Sequence, residues 1–203
     1  MSCRRISSIL KEDASVPDLT PLTALGQTAP MVLTRGALTV TEHPALALAS
    51  LALGRGAVAP CPFGVQLPEP GLWAAGQGIA AFWTGPNQWM IEAEGRAEED
   101  FARDLTVHAP GCSVTEQTDG WVCYEITSSK GATPILNLLE KLVNIDVASF
   151  GPGRATRTGL EHMSVFVIRR AEDRLAILGM RSSAASLWHA IGTAAGRLEE
   201  VLE

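Results

Sequence analysis

The residues able to do chemistry in this chain are few and scattered. Its four histidines, His43, His108, His162 and His189, stand far apart in a sequence of 203 residues. His162 has a metal-type neighbour beside it, Glu161, and successive residues of a strand point to opposite faces, so that pair does not converge on one ion. His162 precedes a strand-like run and reads as a hydrogen-bonded structural residue. Asp146, after Asn144 and Ile145, reads as a turn or cap residue rather than a base. The signatures GxSxG, GxGxxG, the P-loop and HExxH do not occur. The run from Gly151 to Thr156 has glycines and a cation, with Arg157 close behind. It suits either a small anion held by backbone N–H groups or a tight surface turn. Pro152 removes one donor and no helix start follows, which favours the turn. Cys3, Cys61, Cys112 and Cys123 form no CxxC pair, so neither a zinc site nor a disulfide framework is expected, and Cys123 in an apolar run reads as a small buried hydrophobe. No catalytic, cofactor-binding or metal-ligating residue is assigned on this basis.

What remains is recognition by charge and by aromatic surface. Residues 154–181 carry six Arg against three acids, although the whole chain has a net charge of −6. Arg169 and Arg170 end one predicted strand and Arg174 begins the next, which crowds three guanidiniums at one hairpin end. Such a cluster is either a solvated face or a patch for an acidic partner, since a planar guanidinium suits bidentate carboxylate contacts. Trp83 and Trp89 flank a turn and become cross-strand neighbours on one face. They form a core plug if this chain covers that face, and an anchor for another chain if it does not. Arg169, Arg170, Arg174, Trp83 and Trp89 are therefore the candidate partner interface.

Composition narrows the classes further. Apolar residues plus Gly make up about 55% of the chain where roughly 45–50% is usual, and charged residues only 19% where roughly 25% is usual. Disorder is excluded by that hydrophobicity, and broad nucleic-acid binding by a pI near 5.3. The longest greasy run, Pro44 to Leu53, is about half the roughly 20 residues a membrane helix needs. Lys11, Glu12 and Asp13 interrupt the apolar run that a secretion signal requires after Arg4 and Arg5. A cytoplasmic setting with free thiols follows as the expectation.

The elements that must position these residues are legible as short strands and helices. Residues 1–30 read as an extended arm, because Pro17, Pro21 and Pro30 deny it helix. Met31 to Arg35 and Ala37 to Thr41 read as strands about Gly36. Pro44 to Leu53 reads as a short helix ended by Gly54 and Gly56. Ile79 to Gly85 and Trp89 to Glu94 form a hairpin around Pro86 and Asn87, followed by a helix over 97–105 with acids in its first turn. Ser113 to Gln117 and Trp121 to Thr127 pair around Asp119-Gly120, a hairpin dipeptide. Thr133 and Pro134 start a helix to Val143 with Ile135, Leu138, Leu139 and Leu142 on one face. Met163 to Arg169 and Leu175 to Met180 flank Glu172-Asp173, and Ser182 or Ser183 caps a helix presenting Leu187, Trp188 and Ile191. Strand, strand, helix, repeated three times, predicts an α+β fold of antiparallel sheets with helices on one face. The expected divisions are an arm over 1–30, a first subdomain over 31–110 and a second over 111–203.

Three stretches carry a family resemblance. FWTGPNQWMIEAEG resembles the W-x-G-P-[DN]-x-W-[LM] hairpin of the gamma subunit of heterotetrameric sarcosine oxidase. NIDVASFGPGRATRTGLEHMSVFVIRR resembles that family's D-[LV]-x-x-x-x-F-x-x-G-x-x-x-x-T segment and the strand after it. RSSAASLWHAI is similar to its closing Arg-Ser-x-x-x-x-x-Trp helix. The order of the pieces is kept over residues 75–195, while residues 1–70 match only in length and style. More loosely, the pattern resembles the folate-binding domain of the glycine-cleavage aminomethyltransferase, and the resemblance implies two interleaved α+β subdomains. The sequence departs from relatives in lacking the Lys-Gly-Cys motif of the iron–sulfur-assembly branch. Leu142-Val143-Asn144 also stands where a cysteine is frequent. The resemblance implies an assembly that oxidises sarcosine to glycine with hydrogen peroxide and formaldehyde or methylenetetrahydrofolate. FAD, FMN, NAD and tetrahydrofolate would then reside in other subunits. It implies the alpha subunit as main contact and beta and delta subunits in the same complex, with no cofactor and no catalytic residue in this chain. A free-standing folate-binding one-carbon protein is the second expectation, and a scaffold unrelated to either the third. On the first expectation the apolar excess is interface, and a solitary chain is poorly soluble.

Overall fold

The central strands are buried on both faces, and the described strands form two sheets that share one seam. The computed structural model describes residues 20–200, so most of the expected arm lies outside the described residues. Sheet A is six-stranded and antiparallel, in the order β1 (Val32–Arg35), β2 (Leu38–Glu42), β8 (Trp121–Ser128), β11 (Arg174–Met180), β10 (Met163–Ala171), β9 (Arg154–Leu160). Sheet B is five-stranded and antiparallel, in the order β4 (Trp73–Gly76), β5 (Ile79–Gly85), β6 (Gln88–Ala93), β3 (Ala47–Leu53), β7 (Cys112–Glu116). One face of sheet A, including Tyr124, Ile126, Val165, Val167 and Ile177, packs on α2 (Ala132–Leu142) and α3 (Ala184–Glu200). One face of sheet B, including Ala49, Leu51, Ile91 and Ala93, packs on α1 (Phe101–His108) through Phe101 and Leu105. The opposite faces meet each other through Leu48, Phe82, Met90, Cys123, Phe166, Ile168 and Leu178. The layers are helix, sheet, sheet, helix, an α+β architecture with each sheet carrying its helices on one side.

The predicted β5–β6 and β10–β11 hairpins are present. In β5–β6, Trp83 is directly opposite Trp89, and Asn87 in the turn takes φ +57°. β10 and β11 pair with a bulge between Arg169 and Ala171. The helix after β6 starts later than predicted, because Asp100 accepts the Arg103 N–H at 3.1 Å and so sets the first turn. Similarly, Gly131 at φ +74°, not Thr133, precedes α2, which places Pro134 inside its first turn. A short 3-10 turn, Arg181–Ser183, leads into α3. β4 and β9, both edge strands, were not expected.

Two sequence readings are overturned. Pro44 to Leu53 is not a helix: Ala47–Leu53 is β3, paired with β6 on one side and β7 on the other. Both of its faces are covered, so its period-two alternation is masked by uniform apolarity, and pairing with two neighbours overrides the helix preference of Ala and Leu. Likewise, Asp119-Gly120 closes no hairpin. β7 pairs with β3 in sheet B, whereas β8 pairs with β2 and β11 in sheet A. A 3-10 turn over Thr118–Gly120 carries the chain from one sheet to the other. Thr118 fastens that crossing, since its hydroxyl accepts the Leu48 N–H at 2.9 Å. Each sheet thus takes strands from both sides of residue 110: β1 and β2 join sheet A, and β7 joins sheet B.

Candidate functional site

The seam between the sheets collects the polar side chains that the outer cores exclude. β10 alternates so that Val165 and Val167 face the helices while Phe166 and Ile168 face sheet B. That alternation carries Arg170 into the seam. Its Nη1 donates to Glu125 Oε2 at 3.2 Å, and its Nη2 lies 3.1 Å from both oxygens of Glu92. Glu92 belongs to β6 of sheet B and Glu125 to β8 of sheet A, so one guanidinium ties the two sheets together. Arg174 donates from Nε to the other oxygen of Glu125. The Trp73 indole N–H donates to Glu92 at 3.1 Å, and the Arg170 guanidinium lies 5.9 Å from the Trp73 ring centroid. Burial alone would push the Arg170 pKa down; the Glu92 and Glu125 carboxylates outweigh it and hold the group above its usual value. Its Nε has no partner among the described residues.

The three predicted arginines therefore part company. Arg169 is 1% exposed, with Nε donating to the Ala171 carbonyl at 2.8 Å and Nη2 to that of Glu172. Burial pushes its pKa down. Arg170 is consumed by internal carboxylates, and only the Arg174 side chain, 53% exposed, reaches the surface. A solvated cluster of three cations is not what the hairpin end presents. Strand alternation carries Arg170 into the seam, while Arg169 folds onto the carbonyls of the turn beyond the bulge. Trp89 is buried, donating its indole N–H to the Pro68 carbonyl at 2.8 Å, and half-buried Trp83 packs on the same core as α1. The pair is the core plug of the sheet B helix side.

Two cavities open along the seam. One, of about 430 Å³, is lined by Trp73, Glu92, Arg170, Arg174 and the β4–β5 turn. The other, of about 510 Å³, lies between residues 21–30, the start of β3 and the strand β8, with His43 and Cys123 in its wall. His43 Nε2 lies 2.8 Å from Glu94 Oε1, which leaves Nδ1 buried and without a partner. Glu42 is buried, and its two oxygens accept the backbone N–H of Leu25 and of Met31 at 3.2 and 3.3 Å. Cys123 is 2% exposed, and burial pushes its thiol pKa up. Its predicted role as a small buried hydrophobe holds. Among the described residues Cys61, Cys112 and Cys123 are free, and no group of three or more His, Cys, Asp or Glu is close enough to hold a metal.

The remaining sequence candidates lie in turns. In the Gly151–Arg154 turn, the N–H of Gly153 bonds to the Arg169 carbonyl and that of Arg154 to Gly151. Asp146 accepts the Ala148 N–H at 3.2 Å as a turn residue. Glu161 and His162 are exposed at the β9–β10 turn. Sequence reasoning missed Glu42, Glu92, Glu94, Glu125 and His43. A signal existed for two of them: Glu92 and Glu125 are lone charges inside apolar strand runs, and such a charge is buried only with a partner.

The fold has solved counterparts. A chain of the heterotetrameric sarcosine oxidase from Corynebacterium sp. U-96, in complex with pyrrole 2-carboxylate, is 22% identical with a TM-score of 0.68. The match covers 83% of this chain and 88% of that one. The glycine cleavage system aminomethyltransferase T from Bartonella henselae is 15% identical with a TM-score of 0.57, over 78% of this chain and 46% of that one. This chain accordingly has the fold seen in both proteins. No protein-family model and no curated protein matches the sequence.

Proposed function

We propose that this chain is the non-catalytic gamma-type subunit of a heterotetrameric sarcosine oxidase, packed mainly on the large alpha subunit. The observation that carries the reading is coverage. The structural match spans 88% of a chain from such an assembly but only 46% of the aminomethyltransferase, so the chain has the dimensions of the former's subunit. The three ordered motifs resembling that subunit family support the same reading. So does the middle of the seam, which is filled by the Phe82–Phe166 ring pair at 4.9 Å and by the Arg170 ion network. On this reading the complex oxidises sarcosine to glycine, with FAD, FMN, NAD and tetrahydrofolate held by the other subunits in a cytoplasmic assembly. Coexpression with the alpha, beta and delta subunits and affinity purification through alpha tests it. The chain is expected in stoichiometric amount, and its complete absence from the purified complex would sink the reading.

One observation favours a second reading, a folate-binding one-carbon protein. Such a protein needs a deep central pocket with an acid at its floor, and the 510 Å³ cavity has Glu42 in its wall. Both Glu42 oxygens are, however, already taken by backbone donors. Calorimetric titration of the isolated chain with tetrahydrofolate separates the readings, and measurable binding favours the second.

A further inference from the structure

The 510 Å³ cavity has one wall of a different kind from the others. Its far side belongs to hydrogen-bonded strands and their entries, through Leu46, Leu48 and Cys123. Its near side is residues 21–30, which join neither sheet. That segment is held at a few points only. Glu42 accepts the N–H of Leu25 and of Met31, and the Glu42 N–H donates to the Met31 carbonyl at 2.9 Å. Arg181 Nη2 donates to the Leu22 carbonyl at 3.2 Å, and Ala24 and Leu25 rest on the edge of the helix-side core of sheet A. A ladder-paired strand leaves its sheet only with much of the fold, whereas a segment on local bonds detaches in a low-energy sub-global opening. Glu42 itself lines the cavity. Water entering an opened cavity rehydrates its carboxylate, so detachment does not strand a buried charge.

We propose that residues 20–30 are a hinged strap over this cavity, latched by Glu42 and Arg181, and that its opening controls access to the cavity groups. The lining includes Cys123 and His43, whose buried Nδ1 has no partner among the described residues. Cys123 supplies the reporter, because it is buried in the closed state, while Cys61 is exposed and Cys112 half-buried at the far edge of sheet B.

The test is N-ethylmaleimide labelling of the native full-length chain, with each cysteine followed by peptide mass spectrometry. Among Cys61, Cys112 and Cys123 of the wild type, Cys61 labels first and Cys123 last. Glu42→Gln keeps one acceptor oxygen and turns an NH₂ towards a backbone donor. It is expected to accelerate Cys123 about tenfold, the size of one lost hydrogen bond to a charged acceptor. Arg181→Ala, which leaves the buried latch in place, is expected to accelerate it by less. In both variants the Cys112 rate stays at its wild-type value, and amide hydrogen exchange rises within 20–30 but not in β8. Unchanged Cys123 labelling in both variants overturns the strap. So does equal acceleration of Cys112 and Cys123, because access would then run through global unfolding.

Discussion

The helix-side core of sheet A and the seam between the sheets are both buried, yet they are built on different chemistry. The first is built mainly from apolar side chains: Ile135, Leu138 and Leu139 of α2 and Leu187 and Ile191 of α3 cover Tyr124, Ile126, Val167 and Ile177. The buried Tyr124 hydroxyl donates to the Ala184 carbonyl at 2.8 Å. The seam mixes aromatic and aliphatic contacts with a guanidinium shared by two carboxylates from different sheets, cavities, and buried nitrogens on His43 and Arg170 that have no partner among the described residues. Apolar packing tolerates sliding of one layer over another; a bidentate ion pair does not. The outer core therefore supplies cohesion, and the seam fixes how the sheets are set against each other.

The sharpest way to break that division is Arg170→Ala. It strands Glu92 and Glu125 without their shared cation and is expected to cost about 3–5 kcal/mol in urea unfolding. Replacing Glu92 and Arg170 together by Met is expected to recover most of that loss, since the pair's desolvation penalty goes with it. If the double variant is no better than the single one, the seam is not governed by charge. Next in size, Leu138→Ala in the outer core should cost about 2–4 kcal/mol by leaving a cavity. That cost should be additive with changes at Arg170, and strong coupling between the two would merge the regions.

A third test concerns the crossing between the sheets. Burial alone would raise the Glu116 pKa, but hydrogen bonds from the Thr118 hydroxyl and the Ala102, Thr118 and Gln117 N–H groups hold it below the ordinary value of 4.5. A depressed carboxyl contributes stability that is present above its unfolded pKa and lost as pH falls towards the folded one. Unfolding midpoints should thus decline on acidification below about pH 4.5, and Glu116→Gln should flatten that part of the profile. An identical profile in the variant removes Glu116 from the crossing. The smallest effect is expected at Arg174→Ala. Its ion pair with Glu125 is half exposed, so the loss should stay under about 1 kcal/mol.

How much of this was legible depended on whether local chemistry had a competitor. The β5–β6 turn at Pro86-Asn87 and the β10–β11 turn at Glu172-Asp173 were readable because adjacent strands do pair with each other there. Asp119-Gly120 carries an equally good hairpin signal, but β7 and β8 each find better partners in different sheets. The alanine-rich β3 reads as helix by propensity and becomes a strand because two neighbours satisfy its backbone. Arg170 reads as surface charge because nothing in its own segment announces Glu92, which lies 78 positions away.

By itself, the sequence determined the fold class, the two tight hairpins and the apolar faces of α2 and α3. All of these depend on spacing within a few residues, where backbone geometry dictates which side chains share a face. Only the tertiary structure decided that β3 is a strand, that β7 and β8 part company, that two of three clustered arginines turn inward and that Glu42 anchors residues 20–30. Each of those outcomes rests on a partner distant in the chain, and desolvation lets a buried charge or an unpaired backbone settle only where that partner waits.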